Sequence, residues 1–133
     1  MPWETPITDR NQTDINNKTI KAYYNISDFN RIEQNTSYLS TEMNLNLITK
    51  AWTITDFPTE ADFTRIETNI QTIRATLYTY QTTPLNPIHP ATTYIKANAL
   101  EQILKDVEEL YRLNKNAIDY IGEIYADQDI GVI

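Results

Sequence analysis

The sequence predicts an all-α protein: a three-helix antiparallel bundle with an irregular N-terminal arm and a long third helix. Three observations carry this. A short pattern recurs, Asp28-Phe29-Asn30-Arg31-Ile32-Glu33-Gln34-Asn35 returning as Asp62-Phe63-Thr64-Arg65-Ile66-Glu67-Thr68-Asn69, with a worn third copy read at Ala99-Leu100-Glu101-Gln102-Ile103-Leu104-Lys105-Asp106. The copies start 34 residues apart (28 to 62) and then 37 apart (62 to 99). A period of this length marks one supersecondary unit that buries its apolar face only against its neighbours. Around each copy, apolar residues step by three and four, the spacing of one helical face. Finally, the chain has only two glycines, and its prolines fall at the ends of these stretches or outside them.

The elements follow in order. Residues 1–24 form a polar arm with scattered anchors at Trp3, Ile7, Ile15, Ile20, Tyr23 and Tyr24, and a weak helical signal from Asp14 to Tyr23 that Asn16, Asn17 and Thr19 dilute. The first strong helix spans about Ser27 to Ile48, with the seam Phe29, Ile32, Thr36, Leu39 and Met43. A connector over 49–58 is anchored by Trp52 and Phe57. The second helix spans about Glu60 to Tyr80, with the seam Phe63, Ile66, Ile70, Ile73, Leu77 and Tyr80. Asn25-x-x-Asp28 and Thr59-x-x-Asp62 place the same capping signal at both starts. Pro84, Pro87 and Pro90 interrupt residues 81–92. The third helix runs from about Thr93 to Tyr125 on the seam Leu100, Ile103, Val107, Leu110, Asn114, Ala117, Ile121 and Ile124, and its last turns overhang the other two. Three such helices close most simply up-down-up. Connectors of about ten residues leave room for a small β pair between Thr5–Thr8 and Trp52–Thr55. The organisation is therefore an arm (1–24), a bundle built on a degenerate repeat (25–125) and a tail (126–133).

Composition narrows the function. A formal net charge of −7 leaves little basic surface for nucleic-acid phosphates or an anionic membrane. No cysteine is present, so neither a disulfide framework nor a thiolate metal site forms. With no run of about 20 apolar residues and no signal-like N-terminus, the chain is expected in a cytoplasm. Gly122 and Gly131 alone cannot build a phosphate-cradling loop, so no nucleotide cofactor is expected. His89, alone between Pro87 and Pro90, lacks the companions that zinc requires. Asp127-Gln128-Asp129-Ile130-Gly131 lacks the distal Glu of a calcium loop and reads as an acidic tail.

One segment resembles a known group. Thr5-Pro6-Ile7-Thr8-Asp9-Arg10, then Lys21-Ala22-Tyr23-Tyr24-Asn25-Ile26-Ser27-Asp28-Phe29-Asn30-Arg31-Ile32-Glu33-Gln34-Asn35-Thr36-Ser37-Tyr38-Leu39, resembles a segment of tail-associated proteins (baseplate, fibre or tail-tip components) of phages and prophages of Gram-positive bacteria. Phe29 stands where that group carries Leu. The resemblance covers residues 5–39 and touches the second helix through Asp62, Phe63, Arg65, Ile66, Glu67 and Asn69. It implies a structural part of a tail or related particle, made in the host cytoplasm, and no catalytic residue. The alternative is a small helical adaptor or regulator holding one partner protein.

Candidate sites are surfaces, not chemistry. The duplicated sets Asp28/Arg31/Asn35 and Asp62/Arg65/Asn69 share a helical face. Such a face forms local ion pairs and reaches a carboxylate on a neighbouring helix, or else it meets a partner subunit. The overhang is the stronger interface candidate. Asn114, Ile118, Tyr120, Ile121, Ile124 and Tyr125 lie on it, and Ile130, Val132 and Ile133 follow in the tail. An apolar patch of this size marks an interaction site, here for self-association or for other virion or tail proteins. A single Asn on a heptad seam, as at Asn114, fixes register or oligomeric state when buried. If it is not buried, the helix is rotated and Leu113 or Tyr111 takes the core place. Neither a small-molecule ligand nor a metal is expected.

Overall fold

A computed structural model describes residues 3–17, 25–85 and 94–128. Its helices are α1 (Gln12–Asn16), α2 (Ile26–Glu42), α3 (Glu60–Arg74) and α4 (Tyr94–Gln128). The last three are the expected bundle helices. Among the described residues there is no strand, so the fold is all-α. The helical signal expected from Asp14 to Tyr23 appears only as α1, and residues 18–24 lie outside the described ones.

Both repeat helices begin as their capping signals require. Asn25 Oδ1 accepts from the Asp28 amide at 3.1 Å, and the Asn25 amide donates to Asp28 Oδ2 at 3.0 Å. At α3 the Asp62 amide donates to Thr59 Oγ1 at 3.2 Å, and the Thr59 amide donates to Asp62 Oδ2 at 2.9 Å. These bonds satisfy donors that a helix start leaves free. The backbone bond from Thr59, ahead of its hydroxyl and Arg65, holds the Asp62 carboxyl below its ordinary 3.8. A group depressed in this way stabilises the fold fully above about pH 4 and loses that contribution as pH falls through its folded value. Thr59→Ala should cost about 1 kcal/mol at pH 7. The urea-denaturation gap between wild type and Asp62→Asn should be wider at pH 7 than at pH 3; a gap that widened on acidification would contradict the assignment.

Two helices stop earlier than their apolar periodicity suggests. After α2, Asn44 takes a left-handed conformation (φ 55°), and the Leu45 amide reaches back to the Ser40 carbonyl at 2.9 Å. With Asn44 bonding Thr41 at 3.4 Å, this is a Schellman stop, with asparagine in the place glycine usually takes. Leu45 and Leu47 therefore pack on the core from outside the helix, and Ile48 is exposed. After α3, the Thr76 amide and hydroxyl both turn onto the Ile73 carbonyl, at 3.2 and 2.6 Å. The following Leu-Tyr-Thr-Tyr run, poor in helix formers, leaves the helix.

These early stops reverse the expected topology: the three helices run parallel, not antiparallel. Phe29 and Phe63, each in the opening turns of its helix, stack edge-on with centroids 5.8 Å apart. Arg31 meets Glu101 near the starts of α2 and α4, while the Tyr111 hydroxyl donates to the Glu42 carbonyl where α2 ends. Shorter helices make the connectors 43–59 and 75–93 longer than expected. The 17 residues of α2 rise ~25 Å, and ~8 extended residues cover that distance. Each connector therefore has enough chain to return to the starting end.

Parallel helices also re-register the repeat. The third copy sits 34 residues after the second, not 37, because Glu33, Glu67 and Glu101 are equivalent. On that register the core falls into sets of three: Phe29/Phe63/Ala97, Ile32/Ile66/Leu100, Thr36/Ile70/Leu104 and Leu39/Ile73/Val107. All but Phe63, which is partly buried, are buried. Thr36 is tolerated there because its hydroxyl donates to the Ile32 carbonyl at 2.8 Å.

The connector lies against α2 and α3 and the arm against α2 and α4, each held by asparagine side chains of those helices. Asn30 exchanges both amide bonds with the Trp52 backbone (2.7 and 3.1 Å), and Asn69 donates to the Ile48 carbonyl at 2.8 Å. On the arm side Asn98 does the same for Arg10 (3.1 and 2.7 Å), and Asn35 for Glu4 (2.8 and 2.9 Å). Arm and connector backbones are thus paired with helix side chains, not with each other. That is why the expected β pair is absent; Thr53 instead closes a turn with Asp56. Trp52 is buried as expected, whereas Phe57 is 84% exposed and anchors nothing in the described core.

Candidate functional site

The first copy of the duplicated polar face, Asp28, Arg31 and Asn35, is buried, and so are Asn69 and the glutamates Glu33, Glu67 and Glu101, whereas Asp62 and Arg65 of the second copy are partly exposed. Each repeat glutamate takes a cation from the next helix round the bundle. Glu33 of α2 receives Arg65 of α3 at 2.7 and 2.5 Å. Glu67 of α3 pairs with Lys96 of α4. Glu101 of α4 receives Arg31 of α2 at 2.6 and 2.8 Å. The ring closes because the helices are parallel and three in number.

Two members depart from the repeat. The third copy has Ala99 where an arginine would stand, and Lys96, one turn earlier on α4, takes over. Arg10 of the arm adds a second guanidinium to Glu101 at 2.7 Å and to Asp28 at 3.3 Å. Burial alone would lower the Arg31 pKa; hydrogen bonds and charge from Glu101 and Asp28 more than offset this and raise it. The Glu33 hydrogen bond likewise raises Arg65. Both arginines are thereby held in their charged form, and the arrangement ties the three helices together.

Nothing else among the described residues gathers reactive groups. No group of three or more His, Cys, Asp or Glu side chains there could hold a metal ion, and no helix is long and apolar enough to cross a membrane. A cleft of about 300 Å³ beside Asn30, Glu33, Lys50 and Trp52 is roofed by its own residues: the Lys50 ammonium lies 4.1 Å from the Trp52 ring centroid. His89 lies outside the described residues.

The overhang is present and longer than expected. α4 has 35 residues against 17 and 15 in α2 and α3, and Tyr111, midway along it, already meets the last residue of α2, Glu42. Residues 112–117 are exposed. Asn114 is therefore not a buried polar residue of this bundle. Tyr111 is half-buried at the core's end, and Leu113 is 49% exposed. Two clefts flank this point: one of about 590 Å³, of mixed polarity, beside Thr76, Leu77, Tyr78 and Asn114, and an apolar one of about 490 Å³ beside Leu77, Tyr111, Asn114 and Ala117. Of the expected interface residues, Ile118, Tyr120, Ile121, Ile124 and Tyr125 lie on the distal part of α4, where the backbone alone is described. Ile130, Val132 and Ile133 lie outside the described residues.

Sequence reasoning missed Arg10, Lys96 and Asn98. The exact 34-residue recurrence of Glu33, Glu67 and Glu101 carried the signal, because it fixes the register in which Lys96 replaces the missing arginine. Comparison of the chain with family models, curated proteins and solved structures gives no match.

Proposed function

We propose that the chain is a structural component of a phage or prophage-derived tail or baseplate, made in the host cytoplasm and acting by protein–protein assembly. One observation carries the assembly role: half of the longest helix continues past the point where its own bundle ends, with residues 112–117 exposed. An internal ion ring makes the rest a rigid mount for that helix. The resemblance over residues 5–39 supplies the particle. No catalytic role is proposed: the repeat glutamates Glu33, Glu67 and Glu101 are each held by a cation of the neighbouring helix.

Purified particles from the producing strain, analysed by mass spectrometry, should contain the chain at stoichiometric level together with other tail proteins. Its absence from particles, with recovery of one host protein on a tagged chain, would replace this reading with that of a small helical adaptor.

A further inference from the structure

The arm is held in the way one chain holds another. Its seat on α2 and α4 reads main chain at three points. Asn35 pairs with the N–H and C=O of Glu4, Asn98 pairs with those of Arg10, and Glu101 accepts from the Ile7 amide at 3.1 Å. Two side chains add identity. The Trp3 ring lies 5.7 Å from that of Tyr38. The Arg10 guanidinium enters between Asp28 of α2 and Glu101 of α4, and donates also to the Ile7 carbonyl and to Asn98.

Charge defines what this seat accepts. With the arm removed, Asp28 and Glu101 are two buried carboxylates facing one guanidinium, that of Arg31. A buried charge that loses its partner is costly. The seat therefore takes an irregular segment that offers main chain to Asn35 and Asn98 and carries a cation between the two acids. Residues 3–10 meet both demands, and nothing in these contacts requires them to come from the same molecule.

Covalent connection separates the arm from the connector. The connector is joined at its two ends to α2 and α3, the helices it lies against. The arm is joined to α2 through residues 11–25, and its other partner, α4, is remote in the chain. In its own chain that link covers little distance, since Arg10 touches Asp28, three residues past Asn25. Five of the 15 residues from 11 to 25 form α1. With α1 kept at ~1.5 Å per residue and the other ten extended at ~3.3 Å, the link reaches ~40 Å. A neighbouring bundle, built of helices each ~10 Å thick, lies within that reach.

We propose that two copies exchange arms, each placing its Arg10 between Asp28 and Glu101 of the other. No new surface is needed, because every bond of the exchanged seat is one the single chain already makes. Such swapping is a low-cost route to a dimer, and mutual exchange closes at two copies. The long link also allows the single-chain form, so the dimer share rises as the protein is concentrated. This deepens the assembly reading, on which it rests, by naming a second copy of the chain as the partner.

The absence of native cysteine makes the test direct. Three full-length chains are purified: Trp3→Cys, Tyr38→Cys, and the two changes together. Both positions are only partly buried, and wild-type helicity is checked by circular dichroism. The double variant, treated at low concentration with a short bis-maleimide, should close within one chain. The two single variants, one of them tagged, are unfolded in urea, mixed, refolded at high concentration and treated alike. A covalent heterodimer is expected. Adding Arg10→Ala to the Trp3→Cys chain should lower its yield by about tenfold or more, while Arg10→Lys, which keeps the charge, should retain most of it. Closure within the double variant, with no heterodimer at any concentration, would keep the arm on its own chain and overturn the inference. The particle measurement above would then still decide assembly on its own. A double variant that closes neither within nor between chains would mean that the arm does not occupy this seat, and would overturn it too. So would a heterodimer whose yield ignores Arg10→Ala, because the contact would then lie elsewhere.

Discussion

Glu101→Ala should destabilise the chain by about 3–5 kcal/mol, the cost of removing one partner from a buried ion pair. Glu101 is fully buried and accepts from the Ile7 amide, the Arg10 guanidinium and Arg31 twice. Truncating it leaves two buried guanidiniums facing the single carboxylate of Asp28. Arginine does not escape by losing its proton, because its pKa lies above any working pH. The loss is a large part of the 5–15 kcal/mol that separates most folded domains from their unfolded chains. Glu101→Gln, which keeps volume and an acceptor, should fall between. The double change Arg31→Met with Glu101→Leu restores charge balance, leaving Arg10 with Asp28, and should recover much of the deficit. Chemical denaturation of the four chains decides this. A loss under about 1 kcal/mol for Glu101→Ala would mean that the network behaves as an exposed one.

The all-α class and the three bundle helices were legible because their seams are apolar at helical spacing and their starts are marked by Asn25 and Thr59. The stops were not. Asn44 ends α2 by a left-handed turn, which asparagine enters far more readily than most residues, but the apolar run Leu45-Leu47-Ile48 continues the pattern past it. Reading those residues as helix shortened the connector on paper and led to the antiparallel topology. An arginine reaching a carboxylate on a neighbouring helix was legible too, but not the closing of such pairs into a buried ring. Viewed on one helix, Asp28 and Arg31 look like an exposed i,i+3 pair; they become interior only when parallel helices bring Glu101 to Arg31 and Glu33 to Arg65. Local spacing describes one helix, and burial of a charge is decided by its neighbours. The overhang was legible from helix length alone.

Trp52→Ala should cost about 3–5 kcal/mol, and Phe57→Ala should stay within about 0.5 kcal/mol of wild type. Both are aromatic residues of one connector, and sequence alone gives no reason to separate them. The structure does. Trp52 is 5% exposed; its ring lies 5.0 Å from Phe29, its indole N–H donates to Glu33 at 2.9 Å, and Asn30 holds its backbone on both sides. It reaches these partners only because the connector has travelled back from the end of α2 to its first turns. Truncation opens a cavity beside Phe29 and removes a donor from Glu33. Trp52→Phe separates the two losses: it keeps a ring against Phe29 but gives up the bond to a charged acceptor, worth about 1.5–3 kcal/mol. Arg65 still holds both oxygens of Glu33, so the lower end of that range is expected. Measured by thermal and urea unfolding, the order should be Trp52→Ala, then Trp52→Phe, then Phe57→Ala nearest wild type. A larger loss at Phe57 than at Trp52 would mean that the connector takes another path, and with it the case for parallel helices would fail.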